Sequence, residues 1–288
     1  VLSGAYAVLQ GAPAIVTAVD RYVLADAGRS AERITPEVSA AIGASAAPWF
    51  DAGALREGTE KLGLGSSAAI LVASLAAREL AIQGPLSDAA LRELVFARSL
   101  AAHAKAQGGG SGVDVAAAAY GGTFSYRLAL REPSVVRIEL PRELVIETWW
   151  SGHAATTSDF VRRVRELGER DPEAQLELLG AQRDASERAE NALLRGDATA
   201  FLSALHGQRA ALGALGRVAG VPIITEEAAR LGAVAAPAAV LPAGAGGGDV
   251  LLHVGLEPST EPFRTLAAEL GHRLLPLSLG ARGVHAAP

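Results

Sequence analysis

Three glycine-rich stretches hold the residue types that could do chemistry in this chain. The first is KLGLGSSAA at residues 61–69, which empties into the apolar run Ile70-Leu71-Val72-Ala73. Gly63 and Gly65 tolerate backbone angles closed to other residues and leave room for a ligand's close approach. Behind them, the first turn of a helix has N–H groups with no partner inside the helix. With the hydroxyls of Ser66 and Ser67, this makes a phosphate cradle at the positive end of a helix dipole. The same residues also suit a glycine turn with serine caps opening an ordinary buried helix.

The second stretch, GGGSGVDVAAAAYGG at residues 108–122, puts Asp114 among valines and alanines in the first turn of a short helix. A carboxylate there either caps the helix or does chemistry. As a base it could orient and help deprotonate an acceptor oxygen while electropositive groups stabilise a transferring phosphoryl group. The third stretch is GAGGGD at residues 244–249. Glycine inside a regular element is costly, so three distant glycine loops suggest backbone segments converging on an anion.

Other candidates are single residues. His153, in SGHAATTSD, is placed to meet an anionic substrate or to sit in a plain loop. Lys61 and Lys105 could balance phosphate charge or be surface groups, and His103 and Arg98 lie on the helix leading to Asp114. Several mechanisms are excluded. There is no GxxxxGK[ST] loop and no GxGxxG after a first strand. Nor is there a GxSxG elbow for a hydrolase triad or a paired-histidine zinc motif.

The elements that must position these residues follow from composition and pattern. The 288 residues include no cysteine, so disulfides and thiolate chemistry are absent, and the formal net charge is −5. No basic stripe is present for a nucleic-acid backbone. Apolar runs are broken by Arg, Glu or Gly well before twenty residues, so no membrane span is expected. No signal-peptide pattern is visible, and the expected location is cytoplasmic. Residues 1–24 read as a hairpin-like pair and residues 28–58 as irregular. Helices are expected over 66–80 and 87–106, with Ser87 as N-cap, and a short one from Val113. Strands follow at 123–130, 134–140 and 144–150, then helices at 156–167, 172–194 and 198–217. The last part reads as strands at 236–241, 250–254 and 274–279 around a helix at 258–270. That pattern predicts an α+β class with domains over residues 1–150 and 151–288 and an active cleft between two lobes.

These motifs together resemble the GHMP kinase superfamily. KLGLGSSAA is similar to its ATP-phosphate motif, GSGVDVAAAAYGG to the segment bearing its catalytic aspartate, and LPAGAGGGDVLLHV at 241–254 to its C-terminal glycine motif. VLSGAYAVLQGAPAIVTAVDRYV at 1–23 is similar to the N-terminal motif of the mevalonate branch. WFDAGALREGTEKLGLGSSAA and WWSGHAATTSDFV are most similar to phosphomevalonate kinases. The resemblance implies an N-terminal domain of the ribosomal protein S5 domain 2 type and a ferredoxin-like C-terminal domain. It implies transfer of a phosphoryl group from ATP, with Mg2+, to 5-phosphomevalonate. Alternatives are mevalonate kinase, another small-molecule kinase of the superfamily, mevalonate diphosphate decarboxylase, or a catalytically weak metabolite-binding homologue. By motif position, Asp114 takes the catalytic role and Lys105 supplies charge. Lys61, Gly63, Leu64, Gly65, Ser66, Ser67 and Ala68 surround the ATP phosphates, with Ser67 near the metal. The substrate side falls to Ser3, Gly4, Ala5, Tyr6, Gly110, Ser111, Gly112, His153, Gly246, Gly247 and Gly248. The partner is a small phosphorylated molecule, with neither nucleic acid nor membrane, for a monomer or homodimer. Three positions depart from the pattern. Ala5 replaces a glutamate, His103 stands where mevalonate kinases place a magnesium-binding glutamate, and Gly110 stands where a basic residue is frequent.

Overall fold

Helix starts and stops in this chain are set by short side-chain caps and by glycines with positive φ. The computed structural model describes residues 1–43, 47–129, 132–153 and 157–287. A 3-10 turn at Ala7–Gln10 precedes β1 (Ala14–Thr17) and β2 (Leu24–Ser30). The Thr35 hydroxyl then accepts the Val38 N–H at 3.3 Å, and Pro36 fills the first helical position of α1 (Pro36–Ile42). Next, β3 (Pro48–Asp51) pairs antiparallel with β2, and the two-residue strands β4 (Arg56–Glu57) and β5 (Glu60–Lys61) pair with each other. Left-handed Gly65 opens α2 (Ser66–Gln83). Ser87 caps α3 (Asp88–Gln107) by accepting the Ala90 N–H at 3.3 Å, and left-handed Gly112 opens α4 (Val113–Tyr120).

The strands β6 (Thr123–Arg127), β7 (Ser134–Arg137) and β8 (Val145–Trp150) lead into α5 (Thr157–Arg170), α6 (Pro172–Leu194) and α7 (Ala198–Ala219). Asp171 and Asp197 cap the last two helices. The chain ends through α8 (Glu226–Val234), β9 (Ala239–Pro242), β10 (Val250–Gly255), α9 (Glu261–Glu269) and β11 (Arg273–Leu275).

Two units divide the chain. One comprises Val1–Val16 and Thr123–Leu277, the other Thr17–Gly122 and Ser278–Pro288. In the first, an antiparallel sheet runs β11-β8-β10-β9. Side chains alternate across it. Trp149, Val240 and Leu251 pack with Ala228 and Leu231 of α8 and Phe263 of α9. On the other face Ala239, Leu241, Leu252 and Val254 pack with Leu193 of α6 and Phe201 and Leu205 of α7. The second unit is built on α2, whose Leu71 and Leu75 are fully buried. The helices α1, α3 and α4 all pack on it, and the C-terminal segment is pinned to the unit by bridges Val19–Leu279 and Gly121–Arg282.

This architecture is α+β, as the pattern predicted, with four differences in detail. The expected N-terminal hairpin is reduced to the bridge Ser3–Ile15, because residues 7–10 form a 3-10 turn instead of a strand. The stretch at 28–58 is not irregular, since it holds α1, the end of β2, and the strands β3 and β4. A further helix, α8, precedes β9. A single cut near residue 150 also differs from the observed units, because β8 is hydrogen-bonded to β10 and β11 and belongs with the C-terminal sheet. The expected strand end at Leu130 and helix start at Thr156 lie outside the described residues. Among the described residues, no helix is long and apolar enough to cross a membrane.

Candidate active site

The second unit brings the first two glycine stretches together. Gly65 sits at φ +76°, and a Cβ added there would lie 3.6 Å from the Asp114 Cβ. The loop before α2 therefore abuts the first turn of α4. Both helices begin at a left-handed glycine with no cap from that residue's side chain. This suits the first N–H groups of α2 to an anion, whereas Asp114 takes the Val115 N–H in the first turn of α4.

Asp114 is about one-third exposed, and its Oδ1 accepts the Val115 N–H at 2.9 Å. Its Oδ2 lies 3.3 Å from the Nε2 of His103, which is buried on α3. That imidazole nitrogen makes no well-aligned hydrogen bond. The Asp114 contact raises the His103 pKa above its ordinary value against the opposing effect of burial, and the Glu37 charge adds to the rise.

Glu37, in the first turn of α1, is a further part of the same site. Its carboxylate is 7% exposed and accepts the hydroxyl proton of Ser67 and, at 3.2 Å, the Gln107 amide. Burial pushes the Glu37 carboxyl up. Hydrogen bonds from Ser67, its own backbone, Gln107 and Thr35 outweigh that effect and hold it below the usual carboxylate range. Sequence reading passed over Glu37, although Thr35-Pro36-Glu37 is a legible helix start with an acidic first turn.

Residues 53–122, which contain both glycine stretches and Asp114, match the family model described as GHMP kinases N terminal domain. A phosphomevalonate kinase from Streptomyces sp. (strain CL190) is 30% identical over 218 residues, covering 68% of this chain and 57% of that protein. The chain thus spans little more than half the length of that relative. Among solved structures, the Lin0012 protein from Listeria innocua superposes with a TM-score of 0.79 at 21% identity, over 97% of this chain and 95% of that one. The Streptococcus pneumoniae phosphomevalonate kinase superposes with a TM-score of 0.72 at 19% identity, over 96% of each chain. The chain belongs to the GHMP kinase superfamily.

Within this GHMP fold, the remaining sequence candidates fall in different surroundings. Ser66 and Leu64 are partly exposed, Gly63 is exposed, and Ala68 is fully buried, so its side chain packs inside α2's core. Lys61 is exposed on β5. Lys105 is exposed on α3, two positions from His103 and so about 200° round the helix from the face that meets Asp114. Arg98 is turned to Glu79 of α2, with which it forms an ion pair. Gly110 is exposed at φ +132°, Ser111 is partly exposed, and Gly112 is the buried opening residue of α4.

In the first unit, Ser3 is 2% exposed, with its hydroxyl 3.1 Å from Ser186 Oγ and 3.4 Å from Gln208 Oε1. Gly4 allows close packing, since a Cβ there would meet the Pro13 carbonyl at 2.2 Å. Ala5 packs at the edge of an apolar cluster. Tyr6 donates its buried hydroxyl to the Ala245 carbonyl, which ties the N-terminal motif to the third glycine stretch. In that stretch, a Cβ on Gly246 would lie 2.5 Å from the Ile223 carbonyl, the Gly247 N–H donates to that same oxygen at 3.3 Å, and a Cβ on Gly248 would meet Thr225 at 3.3 Å. Gly246 is needed for packing whatever else it does. His153 is exposed, with Nδ1 3.0 Å from the Ser151 carbonyl.

Membership in the superfamily implies ATP and Mg2+. Among the described residues, no group of three or more His, Cys, Asp and Glu could hold a metal ion. The donors present are a serine hydroxyl and separate carboxylates. Such a set fits a hard, oxygen-liganded cation that arrives on phosphates better than an all-protein cage.

Proposed function

We propose that this chain is the catalytic part of an ATP- and Mg2+-dependent small-molecule kinase. Its acceptor on this reading is 5-phosphomevalonate, giving mevalonate 5-diphosphate and ADP. The observation that carries the proposal is the contact between Gly65 and Asp114, which sets a carboxylate beside a glycine loop at the start of a helix. The likeness to phosphomevalonate kinases supports the choice of acceptor.

In-line phosphoryl transfer asks the protein for positioning and charge stabilisation more than covalent chemistry. The first N–H groups of α2 and the hydroxyl of Ser66 would hold the nucleotide's phosphates, with Lys61 and Lys105 lending long-range positive charge. The bound cation neutralises charge developing on the transferring group. Ser67 would present its oxygen to that cation. Asp114 would orient the acceptor oxygen, and strong deprotonation is unnecessary because a phosphate monoester is largely ionised near neutral pH. An acceptor dianion beside a carboxylate is repelled, and a protonated His103 against Asp114 offsets that repulsion. The residues at 3–6, 110–112, 153 and 246–248 remain candidates for the acceptor side.

The test is ADP release measured with phosphomevalonate, mevalonate, galactose and homoserine as acceptors, and CO2 release with mevalonate diphosphate. Turnover with phosphomevalonate well above the others is expected. Turnover confined to another acceptor overturns the substrate assignment, and none with any acceptor overturns the kinase reading.

A further inference from the structure

A serine hydroxyl has one proton to donate and two lone pairs to offer. In the first turn of α2, the Ser67 hydroxyl already donates its hydrogen bond to Glu37. Glu37 is itself fixed from a second direction by Gln107 and is buried. The two donors favour an ionised carboxylate against the effect of burial, and an ionised carboxylate can only accept hydrogen bonds. Ser67 therefore cannot donate to a phosphate oxygen without giving up a charge-assisted bond, and such bonds are about twice as strong as neutral ones. What its oxygen has left is lone-pair density, which suits a cation. Its neighbour Ser66 has no such carboxylate contact among the described hydrogen bonds, so the two adjacent hydroxyls differ in kind.

We propose that Glu37 is a positioning residue that accepts the Ser67 hydroxyl's hydrogen bond and so aims the Ser67 oxygen's lone pairs at a divalent cation carried by a nucleoside polyphosphate. The inference rests on the kinase reading above and deepens it. Glu37 does not touch the nucleotide in this assignment. It acts through Ser67, from a helix that sequence similarity to the glycine motif does not cover. The serine pair thus divides its work, with Ser66 free to donate to phosphate and Ser67 restricted to accepting the cation's positive charge.

The experiment measures Mn2+ binding by electron paramagnetic resonance, with and without ADP, and ADP binding without metal by calorimetry. Loss of a group that orients a metal ligand typically weakens metal binding about 10–100-fold. Glu37→Gln is expected to weaken Mn2+ in the ADP complex by about 10-fold or more while leaving metal-free ADP binding unchanged. Ser67→Ala is expected to weaken Mn2+ binding likewise, and the double variant to bind Mn2+ no worse than Ser67→Ala alone. Wild-type Mn2+ affinity in Glu37→Gln overturns the proposal. So does a full additional loss on the Ser67→Ala background, because then Glu37 acts independently of the serine. Should Glu37→Gln fail to fold, Gln107→Leu decides. It removes a hydrogen bond from the same carboxylate at an exposed position, and unchanged Mn2+ affinity in that variant overturns the proposal. Absence of any ADP binding by the unmodified protein is a separate result. It removes the kinase reading and the role of Glu37 with it.

Discussion

His103 Nε2 lies 3.3 Å from Asp114 Oδ2, and the histidine is buried while the aspartate is partly open to solvent. The imidazole thus backs the carboxylate from inside the protein. The pairing favours the imidazolium and raises the His103 pKa above the usual 6.5, against burial. In linkage terms, a histidine whose folded pKa is raised contributes stability that is fully present below its unfolded pKa. That contribution is lost as pH rises through the folded value. Urea unfolding across pH 5 to 9, with an NMR titration of the His103 ring, checks both halves. The ring's midpoint should lie above 6.5 and fall in Asp114→Asn. A midpoint unmoved by that substitution would show that the contact does not set the titration.

Asp114→Asn also tests the carboxylate's proposed chemical role. Asparagine keeps an oxygen to accept the Val115 N–H, so the opening turn of α4 should survive. Losing a group that orients the reacting oxygen costs about 10²-fold in rate, and turnover should fall by that order. ADP affinity should stay as in the unmodified protein. Unimpaired turnover would remove Asp114 from the mechanism.

How much of this was legible in the sequence depended on whether a residue's role is local. Ser87 as a cap, Gly112 before α4 and the strand at 250–254 are set by near neighbours along the chain, and the structure matches them. The approach of Gly65 to Asp114 was suggested by motif order, since glycine and carboxylate types announce their chemistry, whereas the His103–Asp114 contact was not. Glu37 was not, because its partner Ser67 is thirty residues away and no spacing rule links a first-turn glutamate to a distant hydroxyl. The N-terminal hairpin failed for a related reason. Local propensity suits a strand at residues 7–10, but Tyr6 adopts φ +64° and its hydroxyl is drawn to Ala245, so a tertiary contact overrides the local pattern.

Gly65 and Gly108 separate backbone strain from function. Both have positive φ, and a Cβ on either meets no atom closer than ordinary van der Waals contact. Alanine at each should therefore cost about 1–2 kcal/mol for left-handed backbone, read as lowered urea midpoints. Only Gly65→Ala should also weaken ADP binding, because Gly65 opens the phosphate loop while Gly108 closes α3. Equal effects of the two substitutions on ADP affinity would mean that the loop's shape does not serve the nucleotide.

Tyr6 offers the sharpest distinction between supporting a site and touching its substrate. The ring is packed with Leu179, Leu212, Leu215 and Ile223, and burial raises the phenol's pKa so that it stays neutral and donates. Its single described acceptor is the carbonyl of Ala245, within the third glycine stretch. Removing the hydroxyl leaves that carbonyl without its partner, at a cost of about 1–3 kcal/mol. Tyr6→Phe should accordingly lower the urea midpoint while turnover at saturating acceptor is unchanged. If stability holds and the acceptor's KM rises instead, the hydroxyl meets the acceptor directly, and its bond to Ala245 is incidental to the fold.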